Sequence, residues 1–176
     1  MSNTNVLRTV LLAIGLSAAA NAADDACKVL FDADRKMIVT AHHSYQTQVS
    51  PGHKDPKSSE AIFMGGLKGA VYILVSGKWQ RSGWGPEDSL KQKEENIRNT
   101  KASCRYVRDE TVSGEAAAVY TIHTESEDVK SDGTIWIGKS RGVPLREELD
   151  SGVSPGKSRI TVRYDYSNVR APDGVK

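Results

Sequence analysis

Two cysteines in 176 residues cannot supply a four-ligand zinc site unless histidines complete it, and His42, His43, His53 and His123 offer no such spacing. Adjacent His42 and His43 would point to opposite faces of a strand, and all four histidines are read as surface residues. An excess of one charge sign is also missing. Lys and Arg number 24 against 22 Asp and Glu, so no basic footprint for dedicated nucleic-acid binding exists. The serines fall in turns rather than in a GxSxG elbow, and there is no GxGxxG or Walker loop. Gly65-Gly66-Leu67-Lys68-Gly69 is glycine-rich but leads into no helix, so it reads as a bulge or turn. Glu147 and Glu148 are neighbours on a predicted strand and face opposite ways, which is wrong for a shared acid–base site. No enzyme activity is expected, and no metal or cofactor. Repeats, low-complexity stretches and linkers are absent too, which leaves one domain of ordinary globular composition.

What is present begins with an address. Arg8 precedes an 11-residue apolar or small-residue run, Val10 to Ala20, and Ala20-Asn21-Ala22 has the small-x-small form of a signal-peptidase site. The run is too short for the roughly 20 residues that a bilayer requires. Residues 1–22 are therefore expected to be a signal peptide cleaved after Ala22, leaving residues 23–176 as a single periplasmic domain without stable membrane insertion. No cysteine stands at the cleavage point to take a lipid. In an oxidising compartment Cys27 and Cys104 are expected to bond to each other. Two inert buried thiols are the alternative, and a redox pair would lack its CxxC motif.

Ala26, Val29, Leu30, Ala33 and Met37 recur at helical spacing, which predicts a helix over about 24–38. A second helix is predicted over 86–101. Pro86 suits its first position, Glu87 and Asp88 its positive end, and Arg98 and Lys101 its negative end. Its apolar content is thin. Most of the remainder alternates with period two: Tyr45 to Val49, Ala118 to His123, Leu145 to Asp150 and Arg159 to Tyr166. The continuous run Val71–Val75 reads as a strand covered on both faces, and Gly52–Ser59 as a polar loop. Turns are predicted at Ser76-Gly77, Ser113-Gly114, Asp132-Gly133 and Gly142, at meander spacing.

The C-terminal half carries Asp132-Gly133-Thr134-Ile135-Trp136-Ile137, then Ser140-Arg141-Gly142-Val143-Pro144-Leu145-Arg146, then Arg163-Tyr164-Asp165-Tyr166-Ser167-Asn168-Val169. These stretches resemble the LolA/LolB-like lipoprotein-carrier superfamily, in which a "WI" strand, a "GLP" turn and a closing strand ending near "NV" follow one another. Val143 stands where the usual leucine would be. The hairpin from Lys68 to Trp79 and the N-terminal helix are similar to the same pattern. The resemblance implies an α+β fold, an unclosed β-barrel made of a strongly curved antiparallel sheet of about eight strands. Two helices would cover its concave side and an apolar cavity. It also implies binding of lipoprotein acyl chains or other amphiphiles in the periplasm. On this reading the cavity candidates are Val71, Ile73, Trp79, Tyr120, Ile122, Ile135, Ile137, Tyr164 and Tyr166. The ligand would be lipid-like and the protein a monomer. The alternative is an interaction module for an envelope protein partner, docking by an exposed strand edge or by the second helix.

Overall fold

A computed structural model describes residues 18–53, 55–127, 129–152 and 157–175. The expected leader lies outside the described residues as far as 17. The first helix, α1 (Ala18–Ile38), starts six residues earlier than its amphipathic pattern suggests. Nine strands follow, with one helix among them: β1 (His42–Val49), β2 (Lys57–Phe63), β3 (Val71–Val75), β4 (Lys78–Arg81), α2 (Pro86–Asn99), β5 (Lys101–Val112), β6 (Glu115–Glu125), β7 (Lys130–Gly138), β8 (Pro144–Gly152) and β9 (Ser158–Asp165). They form a single antiparallel sheet in the order β4-β3-β2-β1-β9-β8-β7-β6-β5. The sheet is curled and unclosed, with β4 and β5 as free edges and both helices on one face, so the α+β architecture is that expected. It consists of two local meanders, β1–β4 and β5–β9, joined only by the β1–β9 ladder that pairs His43 with Asp165 and Val49 with Arg159.

Local chemistry explains most element boundaries. The β3–β4 and β5–β6 turns are Ser76-Gly77 and Ser113-Gly114. All four residues have positive φ, between 50° and 86°, as the tight turns of twisted hairpins require. Pro86 opens α2 and Asp88 Oδ2 accepts a hydrogen bond from the Gly85 N–H at 2.9 Å. Two expectations fail for reasons visible in the packing. Asp132-Gly133 is not a turn but lies inside β7. A Cβ on Gly133 would stand 2.6 Å from Leu149 Cδ2 and 3.0 Å from Ile122 Cγ2, so the glycine admits those side chains. The polar stretch ending at Ser59 is not all loop, because Lys57, Ser58 and Ser59 pair with Gln48, Thr47 and Gln46. Val71–Val75 is covered on both faces only at its start. Val71 and Tyr72 are buried, whereas Ile73 and Val75 are exposed.

The core is split by the sheet. On the helix face Ala26, Leu30 and Ala33 of α1 pack on Cys104, Ile135 and Ile137, with Tyr120 and Ile122 beside them. The two alanines let the helix approach closely. Cys27 and Cys104 are disulfide-bonded, with Cα atoms 5.0 Å apart, and tie α1 to β5. On the opposite face Ala117, Val119, Trp136 and Leu145 form a second cluster against Val112 and Tyr166.

Candidate functional site: the crevices beneath the second helix

The sequence gives α2 little to bury, and the structure uses little. Pro86 is its only buried residue. Two ion pairs hold it to α1. Arg35 meets Glu94 through both carboxylate oxygens, at 2.6 and 3.1 Å, and Lys93 pairs with Asp34. The Arg35–Glu94 pair is well exposed, and such pairs are weak and screened by salt. α2 is thus a polar cover resting on the sheet rather than an integral part of the core.

Crevices open on both sides of it. One, of about 330 Å³, is lined by Met37, Ile38, Trp84 and Tyr164 together with the charged Asp34, Lys93 and Glu147. The other, of about 450 Å³, is walled by Phe31, Ile97, Ala102 and Ile122. Lys93 and Asn96 line both. The electrostatics of the first are unusual. Burial beneath the helices, reinforced by the Asp34 charge, pushes the Glu147 carboxyl up to about 7, against the pull of Lys93 and a hydrogen bond from Tyr164. The Tyr164 hydroxyl is itself driven well above its ordinary range by burial and by Glu147.

The nine predicted cavity residues are distributed by register. Opposed residues share a face, so Tyr120, Ile122, Ile135, Ile137, Tyr164, Val71 and Ile73 lie on the helix face. Trp79 does not. It sits on the far side, 5.7 Å from His43 in an edge-on contact. Tyr120, Ile122, Ile135 and Ile137 meet α1 side chains, and of these only Ile122 also lines a crevice beneath α2. Tyr164 lines the other. Tyr166 closes one end of the sheet, its hydroxyl donating to the Pro144 carbonyl at 2.6 Å. Val71 and Ile73 lie toward the β4 edge.

His42 is not a surface residue. It is 1% exposed, stacks on Phe63 at 4.4 Å and donates from Nδ1 to the Thr40 carbonyl at 2.8 Å. Its Nε2 has no hydrogen-bond partner among the described residues, and burial holds its pKa below the usual value. His123 stands in a cross-strand row between Ser103 and Asp132. Its Nδ1 is 2.8 Å from Asp132, whose other oxygen takes Lys157 at 2.9 Å. Among the described residues Ser103 makes no hydrogen bond to His123, and the row lies on mid-strand backbone whose N–H groups belong to the ladder. The three residues line one cleft of about 520 Å³ together with Arg105, Thr121 and Arg159.

Asp34, Lys93, Glu147 and Trp84 did not emerge from the sequence as site residues. One signal was available. Glu147 occupies the helix-facing position between Gly133-packed Leu149 and the Pro144–Leu145 bulge, a charged residue in an otherwise apolar row.

Comparison with known proteins gives structural likeness only. No protein-family model matches the chain, and no curated protein does. MucB is similar at a TM-score of 0.43 and 16% identity, over 90% of this chain and 63% of MucB. It is also solved in complex with MucA(peri), where the match covers 58% of the MucB chain. This chain therefore spans about three fifths of the MucB chains it matches. A DUF1329 family protein from Desulfovibrio piger is similar at a TM-score of 0.33 and 11% identity, over 88% of this chain and 95% of that one. A domain from Vibrio parahaemolyticus described as an outer-membrane lipoprotein-sorting domain is similar at 0.31 and 8%, over 87% and 94%.

Proposed function

We propose that the protein is a periplasmic binding or carrier module for an amphiphilic, lipid-like ligand, freed from a signal peptide after Ala22, with no covalent chemistry. The ligand's apolar part lies beneath α2, against Phe31, Ile97 and Ile122, and its polar end meets Asp34, Lys93 and Glu147. The observation that carries this reading is the cover itself. α2 is held by ion pairs beside two crevices with apolar walls, and its Lys93 and Asn96 line both. The Cys27–Cys104 bridge pins α1 to β5, which makes α2 the movable element.

The test is titration of a fluorescent fatty-acid probe into purified residues 23–176. Saturable binding is expected, weakened about tenfold by Ile97→Asp, which places a charge in the crevice wall. Absence of saturable binding overturns the reading. A second reading, docking of an envelope protein partner, is favoured by β5. It is a 12-residue edge strand with most residues exposed, a template for strand addition. A partner that co-purifies from envelope extract and is lost when a proline replaces an outward-facing β5 residue would favour it.

A further inference from the structure

The sheet face opposite the helices holds a separate cleft of about 500 Å³, between the β5–β6 turn and the middle of β1, β9 and β8. Its centre is a pair of arginines. Arg146 and Arg163 are directly opposed cross-strand neighbours, an arrangement in which like charges repel. Each guanidinium lies over an aromatic ring. Arg163 Cζ is 4.5 Å from the Tyr45 centroid and Arg146 Cζ is 5.0 Å from that of Trp136. The stacking orients both forks; Arg146 donates from one Nη to Glu148, and Arg163 keeps its edge free of ion pairs among the described residues.

The local acids offset the two arginines unequally. Arg146 has Glu148, but Arg163 makes no ion pair among the described residues. Glu110, which also lines the cleft, is engaged by Arg108 and by Trp136 Nε1, which donates to it at 2.6 Å. The hydroxyls of Thr47 and Thr161 complete the wall. Val112 and the Tyr45 and Trp136 rings also line the cleft, so the fixed guanidinium donors and hydroxyls stand beside apolar surface. This mixed wall suits a polyhydroxylated anion, whose carbon skeleton rests on the apolar part while its oxygens meet the donors.

We propose that this cleft binds an acidic sugar, its carboxylate or phosphate held between Arg146 and Arg163 and its hydroxyls by Thr47 and Thr161. Either anion matches the planar forks. The proposal does not depend on the carrier reading, because the two sites lie on opposite faces.

Calorimetric titration of purified residues 23–176 with trigalacturonate and with glucose 6-phosphate tests it, with maltotriose and inorganic phosphate as comparators. Saturable binding of one or both acidic sugars is expected, tighter than of either comparator; which one binds identifies the anion. Arg163→Gln and Arg146→Gln should each weaken it by about 10- to 100-fold, the range for losing a charge-assisted hydrogen bond. Arg163→Lys should restore only part of the loss, and Ile97→Asp should leave it unchanged. The proposal is overturned if neither acidic sugar binds, if maltotriose or phosphate binds as tightly, or if the glutamine variants bind like the native protein.

Discussion

Replacing Glu147 by Gln should stabilise the protein, and more so as the pH rises. In the unfolded chain the carboxyl titrates near its ordinary 4.5, whereas beneath the helices it titrates near 7. Below 4.5 both states are protonated and the group costs nothing. As the pH climbs from 4.5 toward 7 the unfolded state loses its proton first, so native stability falls, and above 7 the loss is complete. The full difference corresponds to about 3 kcal/mol, and water reaching the part-exposed residue reduces it to about 2 kcal/mol. A Gln cannot ionise, so Glu147→Gln should gain that amount at pH 8, or about 6 °C in melting temperature for a domain of this size. At pH 5 the gap should shrink to roughly a third. His42 works with the opposite sign. Buried neutral, it would take a proton on unfolding below its ordinary 6.5, so it withdraws stability as the pH falls. It is common to both proteins and cancels in the comparison. Urea unfolding of native protein and variant at pH 5 and 8 is the assay. A Glu147→Gln gain of equal size at both pH values, or none at either, refutes the argument that Glu147 is desolvated under the cover.

Other consequences are as readily checked. Leu30→Ala, at a residue 1% exposed between α1 and the sheet, should cost about 3 kcal/mol by urea unfolding; a cost under about 1 kcal/mol would mean that α1 does not anchor the core. Reducing the Cys27–Cys104 bridge removes a crosslink between residues 77 apart in sequence, worth up to about 4 kcal/mol in the loop-entropy model, and should lower the melting temperature by about 10 °C. An unchanged melt would count against a closed bridge. Gly133→Ala should destabilise by about 1–2 kcal/mol, because Leu149 and Ile122 must give way. High salt should speed amide exchange in α2 more than in α1, since ion pairs hold the one and apolar packing holds the other.

How much of this could be read in advance follows from the range over which each feature is encoded. Pro86 with Glu87 and Asp88 marks the start of α2, and Ser76-Gly77 and Ser113-Gly114 mark two hairpins, because those signals act within four residues. The Cys27–Cys104 pairing was legible from the cysteine count. β2 was obscured because Lys57, Ser58 and Ser59 carry no strand pattern of their own; their pairing with β1 holds them. Trp79 falls on the other face from the remaining strand candidates because face membership depends on register passed from strand to strand, which no short window contains. The site under α2 was hidden for the same reason. Asp34 and Lys93 are 59 residues apart, and Glu147 joins them only once β8 lies beneath both helices.

The β1–β9 ladder has a consequence for how the chain matures. The N-terminal meander owns no inner neighbour until residues 158–165 arrive, so a polypeptide emerging amino end first keeps β1 as a bare flank through nearly its whole synthesis. A truncation short of β9 would strip the seam from both halves at once, doubling the number of unsatisfied strand flanks from two to four and converting one molecule into two sticky fragments tethered by α2.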